Sequence, residues 1–188
     1  MLLITFAFVT PILLALFYII IPAIMVKRYH DLDSISINQL EEKSGVKIKV
    51  KVNSDDSVNA FSLPNRVVIV TRALLNNEND LQAALAHEIG HIKGKHHIKT
   101  FLMLIGLTII SIYVILDYNL LLGIGTVLLE IIISKFVARY FEYSADRYAV
   151  TLVGRDQYLK LLTSYGNLEE KSSILSTHPA VINILKKI

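Results

Sequence analysis

Apolar residues are gathered in blocks along this chain, and the blocks predict where it meets a membrane. Leu2 to Val26 contains no charged residue, and about 20 apolar residues in helix suffice to cross a hydrocarbon core of roughly 30 Å. No charge precedes the run and Lys27-Arg28 follow it. That order is the reverse of a cleaved signal peptide, so residues 1–26 are expected to be an uncleaved transmembrane anchor. Pro11 and Pro22 fit such a helix where neighbours satisfy the freed carbonyls. A second block, Phe101 to Ile133, is divided by Asp117-Tyr118-Asn119. Its halves, roughly 16 and 14 residues, cover about 24 Å or less at 1.5 Å per residue. Each must borrow flanking residues or thin the bilayer, and a membrane helical hairpin over 101–134 is expected. Glu130 lies inside the second half, where an ionisable side chain needs a partner or water.

Between the blocks the pattern changes period. Ser36-Ile37-Asn38-Gln39 reads as a capping box opening a short helix that ends at Gly45. Val46 to Val52 alternates apolar residues with lysines, a strand with one buried face and its lysines in water. Ser57 to Ser62 and Arg66 to Val70 read as two more strands joined by a turn at Leu63-Pro64-Asn65. A small antiparallel sheet is the expected result. Asn79 is expected to cap a helix over Leu81 to His91, and Lys135 to Val153 reads as a helix ended by Gly154. Two amphipathic helices follow, at about 156–167 and 179–188. The catalytic part of the chain is thus split into 27–100 and 135–188 around the hairpin, and the fold class is α+β, mainly helical.

Composition narrows the function. The 188 residues allow one modest domain plus membrane segments, and 53% are hydrophobic against only 19% charged. The net charge of +3 is small and the basic residues sit beside the apolar blocks, so no basic face exists for nucleic acid. Lys27, Arg28, Lys93, Lys95, Lys99, Lys135 and Arg139 all flank the membrane segments on one side. By the positive-inside tendency that side is cytoplasmic. With no cysteine, any metal must be held by His and carboxylates.

His87-Glu88-Ile89-Gly90-His91 is the pattern H-E-x-x-H. On a helix it sets two imidazoles one turn apart on one face to grip a zinc ion, while Glu88 is turned by about 100° toward a bound water. By this chain's own His and Glu frequencies the pattern would arise by chance with a probability of roughly one per cent. A catalytic zinc wants a third protein ligand and an open fourth position. Glu142 is the favoured third ligand. It lies four residues before Asp146 on the same helical face, and Asp146 could accept the far N–H of a zinc histidine. The rival is His97, because His87 to His97 also fits H-E-x-x-H-x-x-G-x-x-H. That pattern demands a downstream methionine turn, and the only methionine after the motif is Met103, within an apolar block.

Four separated motifs then carry a family likeness: Asn59-Ala60-Phe61-Ser62, His87 to His91, Arg139 to Asp146 and Thr177-His178-Pro179. In this order, with a membrane hairpin between the second and third, the chain resembles the HtpX-like membrane zinc peptidases. They form the gluzincin branch that also includes the CAAX prenyl endopeptidases. The resemblance implies one Zn²⁺ ion, a polypeptide substrate and an integral protein of a prokaryotic plasma membrane with its active site on the cytoplasmic side. It implies that Asn59, Ala60, Phe61 and Ser62 form a sheet edge on which substrate pairs as an added strand. It also implies that His178 stabilises the oxyanion. One departure stands out: the family commonly has arginine six residues after that histidine, where this chain has Ile184. It is the one feature favouring an alternative, a catalytically weak zinc-stabilised membrane adaptor.

Overall fold

The computed structural model describes residues 2–165, with side chains from Val9 onward. His178, Ile184 and the expected last amphipathic helix lie outside the described residues. Helix α1 (Leu2–Val26) is followed by strand β1 (His30–Leu32), helix α2 (Ile35–Ser44) and strands β2 (Lys49–Asn53), β3 (Ala60–Ser62) and β4 (Val67–Thr71). Helices α3 (Glu78–Lys93), α4 (His96–Asp117), α5 (Leu120–Val153) and α6 (Arg155–Tyr165) complete the described chain. Helices α1, α4 and α5 are long and apolar enough to cross a membrane.

The sheet is mixed, with strand order β1-β2-β4-β3. The turn after β3 does give the expected antiparallel pair, Phe61 opposite Ile69. Strand β2, however, bypasses β3 and pairs parallel with β4, Lys51 opposite Ile69. The reason lies in β4, whose five residues are all buried. A strand apolar on both faces takes the centre of a sheet, and the short β3 is left at the edge. Lys51 departs from the expected wet face. It is buried, donating to Tyr29 O at 2.9 Å and pairing with Asp31 at 2.9 Å.

Helix starts also move. Ser34, not Ser36, caps α2 by accepting from Ile37 N at 3.3 Å, while Ser36 is buried against Glu78 and Gln82. Asn77, not Asn79, caps α3, and Glu78 and Asp80 in its first turn complement the helix dipole. The hairpin halves gain the length they lacked by recruiting flanking residues. Helix α4 has 22 residues, about 33 Å, and α5 has 34, about 51 Å. The second membrane half and the helix carrying Glu142 are therefore one continuous element. Thr108 donates to Glu130 at 3.0 Å, which supplies the half-buried carboxylate with a partner across the hairpin.

Below the membrane helices, the core gathers Val68 and Val70 of β4, Leu81, Leu85 and Ile89 of α3, Ala149 of α5 and Tyr158 of α6. Helix α3 thus lies between sheet and α5, with its histidine face turned to the latter.

Candidate metal centre

The site forms where α3 and α5 cross. Gly90 sits against Ala145, so close that a Cβ on the glycine would come within 2.9 Å of the Ala145 Cα. Only a residue without a side chain permits that approach. Glu142 and Asp146 flank Ala145 and so face His87 and His91, which flank Gly90. The crossing of two small residues converts two one-turn spacings into a four-residue cluster.

Within it, His87 Nε2 and His91 Nε2 are 3.1 Å apart. Glu142 Oε2 is 3.5 Å from the first and Oε1 is 3.6 Å from the second. Four tetrahedral ligand atoms at zinc bond lengths of about 2.0–2.1 Å would lie roughly 3.3 Å from one another. The three side chains therefore fit a single ion without rearrangement, and their donor atoms form the one such metal-ligating group among the described residues. His97 does not join them. Its Nε2 is 2.9 Å from Ser62 Oγ on β3.

Each imidazole is held from behind. Asp146 Oδ1 lies 3.0 Å from His87 Nδ1 and accepts from the Tyr158 hydroxyl at 2.6 Å. Burial opposes a charge on His87, yet the Asp146 and Glu142 carboxylates outweigh it and raise the ring's pKa well above the ordinary imidazole value. The pocket between these carboxylates favours a cation. Burial and the neighbouring His87 hold His91 at the other extreme, lowering its pKa to about 3 and keeping the ring neutral. His96 Nδ1 stands 3.1 Å from His91 Nδ1, and its ring stacks on Phe141 with centroids 4.3 Å apart. The turn that delivers His96 is specialised: Lys95 takes φ 53°, and a Cβ on Gly94 would collide with the His96 ring. Sequence reasoning missed Tyr158 and His96. The signals were faint, a lone tyrosine in an amphipathic helix and a glycine beside paired histidines.

Glu88 points toward the sheet edge. Its Oε2 accepts from Ser62 N at 2.7 Å. Burial pushes its carboxyl up, against the pull of His87 and of the Ser62 N–H, and the net shift is upward. In β3, Asn59 O and Leu63 N are bonded to β4. By strand alternation the backbone groups of Ala60 and Ser62 therefore point to the free edge. Because the Ser62 N–H is committed to Glu88, the Ala60 amide and the carbonyls of Ala60 and Ser62 remain on that edge beside the base. Phe61 packs on the other side of the sheet, with Ile69 and Met25.

The comparisons with known proteins identify the family. The family model described as Peptidase family M48 matches residues 31–188. The mitochondrial metalloendopeptidase OMA1 of Bos taurus is 33% identical over 153 residues, 69% of this chain and 29% of OMA1. The protease HtpX of Haemophilus influenzae is 26% identical over 172 residues, 74% of this chain and 60% of HtpX. The chain thus spans less than two thirds of either relative's length. The crystal structure of S. mikatae Ste24p shares the fold, with a TM-score of 0.67 at 18% identity over 98% of this chain and 56% of that one. With a family match across the sheet, the α3–α5 crossing and the chain beyond, the chain belongs to peptidase family M48, with the HtpX-like membrane metallopeptidases that its motifs resemble.

Proposed function

We propose that this protein is a membrane-anchored zinc endopeptidase, with His87, His91 and Glu142 as metal ligands and Glu88 as general base. The observation that carries the reading is the convergence of three donor atoms at tetrahedral spacing beside a buried carboxylate that is not among them. Zinc suits two imidazoles and one carboxylate, and when bound it would polarise a carbonyl and acidify water.

The chain's own groups account for the remaining work. Asp146, steadied by Tyr158, fixes the tautomer of His87, and His96 accepts the far N–H of His91 in the same way. Glu88 takes a proton from the attacking water and returns it to the departing amine. Its raised pKa brings it nearer the neutral range where such an exchange is efficient. The Ser62 N–H fixes the orientation of that carboxylate. A substrate strand added along the free edge of β3 would run past Glu88, with main-chain bonds supplying affinity and little sequence preference. By resemblance, His178 adds a donor for the oxyanion, and membrane or unfolded proteins are the substrates, in quality control.

The basic residues just after α1, around the start of α4 and midway along α5, past its apolar half, favour a cytoplasmic site in a prokaryotic plasma membrane. A chain without cysteine makes the check direct: a single cysteine introduced at Lys99 should react with an impermeant maleimide only after the cell is opened. The function itself is tested by cleavage of an unfolded membrane protein by wild type, chelated protein and Glu88→Gln. Wild type should cut and the other two should not. If wild type cuts no more than Glu88→Gln while binding zinc equally, the zinc-stabilised adaptor is the correct reading.

A further inference from the structure

Two spaces adjoin at the turn between β3 and β4. One is an apolar groove of about 290 Å³ between α1 and α4, walled by Leu14, Phe17 and Ile21 on one side, Phe101 and Ile105 on the other, and Pro64 of the turn. Phe17 and Ile21 are exposed, so the groove opens on the lipid-facing side. The other is a pocket of about 240 Å³ that shares Pro64 and is lined by Arg66, Lys93 and Lys95, with His91 and His97 also in its wall. No acidic side chain among the described residues lines it. Arg66 and Lys95 hold their places against backbone preference: they are the two non-glycine residues with positive φ among the described residues, at 63° and 53°. That conformation is disfavoured for any residue with a Cβ. Lys93 donates to Ser44 O at 2.8 Å, whereas the Arg66 and Lys95 side chains have no partner among the described residues.

We propose that groove and pocket together bind one anionic phospholipid, with an acyl chain between α1 and α4 and the phosphate headgroup at Arg66 and Lys95. The site is separate from the peptidase reading and does not depend on it. Its depth agrees with the chemistry. Lys95 directly precedes α4, and Leu63 and Val67, on either side of the turn, pack on Met25 and Val26 at the end of α1. The pocket therefore lies where two membrane helices meet the polar domain, the level of the headgroups. Basic pockets between membrane helices suit anionic headgroups, and a guanidinium binds phosphate through paired N–H groups. The rival occupant is an acidic side chain of a polypeptide. Such a segment would use the pocket and leave the groove unfilled, whereas a lipid matches the charge of one and the apolar walls of the other. Bound there, the lipid would bridge α1, α4 and the turn that follows Ser62, whose N–H holds Glu88.

The test is a titration of the full-length, zinc-loaded protein, stripped of lipid in a neutral detergent, read by native mass spectrometry. The probes are phosphatidylglycerol and phosphatidylcholine with the same acyl chains. Wild type should bind one phosphatidylglycerol about tenfold or more tightly than phosphatidylcholine, the preference two interfacial cations supply. Arg66→Gln with Lys95→Gln should bring that ratio close to one, and each substitution alone should lower it part-way, so a misfolded double variant leaves the singles. Lys27→Gln with Lys135→Gln removes the same charge outside the pocket and should leave the ratio unchanged. Ile21→Trp narrows the groove and should weaken both lipids alike. Tm identifies the folded variants. Glycerol 3-phosphate and a short polyglutamate peptide should both fail to displace phosphatidylglycerol. Equal binding of the two lipids, a wild-type ratio in the folded pocket variants, its loss in the Lys27 and Lys135 control, or unweakened binding in folded Ile21→Trp overturns the site. Displacement by glycerol 3-phosphate makes the pocket a site for free phosphate, and displacement by the peptide assigns it to acidic polypeptide. Either result overturns the lipid.

Discussion

The two halves of α5 belong to one helix and obey different rules. From Leu120 to about Ile133 its side chains are large, apolar and mostly exposed among the described residues. From Phe141 to Ala149 the same helix buries Phe141, Ala145, Asp146 and Ala149 and turns Glu142 to the metal centre. In the first half most side chains face outward, and close packing is confined to places such as Gly123, where a Cβ would collide with the Ile115 side chain of α4. In the second half the spacing to α3 is set at atomic distance by Gly90 and Ala145. Continuity of the helix ties its apolar half to the cluster of His87, His91 and Glu142.

The largest effect is expected at the base. Glu88→Gln should lower cleavage about 100- to 10,000-fold while zinc content stays at wild-type level, as measured by peptide release and elemental analysis. Next comes the crossing itself. Gly90→Val should push α3 off α5, cost about 1–3 kcal/mol or more from overpacking, and weaken zinc binding. Gly125→Ala, in the membrane half, meets nothing within 4 Å and should change neither Tm nor metal affinity appreciably. Equal damage from the two substitutions would erase the distinction between the halves.

A smaller step separates the groups behind the imidazoles from their neighbours. His96→Phe keeps a ring for Phe141 and removes the acceptor for His91, and should weaken zinc binding by about 10- to 100-fold in chelator competition. His96→Asn puts an oxygen near the lost nitrogen and should recover much of that affinity. If the two variants bind zinc equally, His96 acts through packing alone. Smallest of all is Glu130→Gln, which retains an acceptor for Thr108. Activity and Tm should stay within error.

Much of this was written locally in the sequence. The anchor, the hairpin and α3 follow from apolar blocks and period. The His87, Glu88 and His91 pattern needs only one turn of helix to be read, and Glu142 stands out because Asp146 repeats the same one-turn spacing. What could not be read depends on residues distant in sequence becoming neighbours. Periodicity marks β2 and β4 as strands but says nothing of which will pair, so the parallel β2–β4 ladder was missed. Lys51 reads as solvated in sequence because its partners, Asp31 of β1 and the carbonyl of Tyr29 just before that strand, lie about 20 residues away. Tyr158 and His96 acquire their places only once α6 and the Gly94-Lys95 turn fold back on the crossing. The break at Asp117 to Asn119 marked the hairpin turn, but nothing local showed that α5 runs on unbroken into the site.

The most direct test is anomalous scattering at the zinc edge from crystals of the zinc-loaded protein. The account predicts one peak within about 2.0–2.2 Å of His87 Nε2, His91 Nε2 and a Glu142 carboxylate oxygen, with a fourth position filled by solvent. A peak bound by His97 in place of Glu142, or one lying away from the α3–α5 crossing, would contradict it.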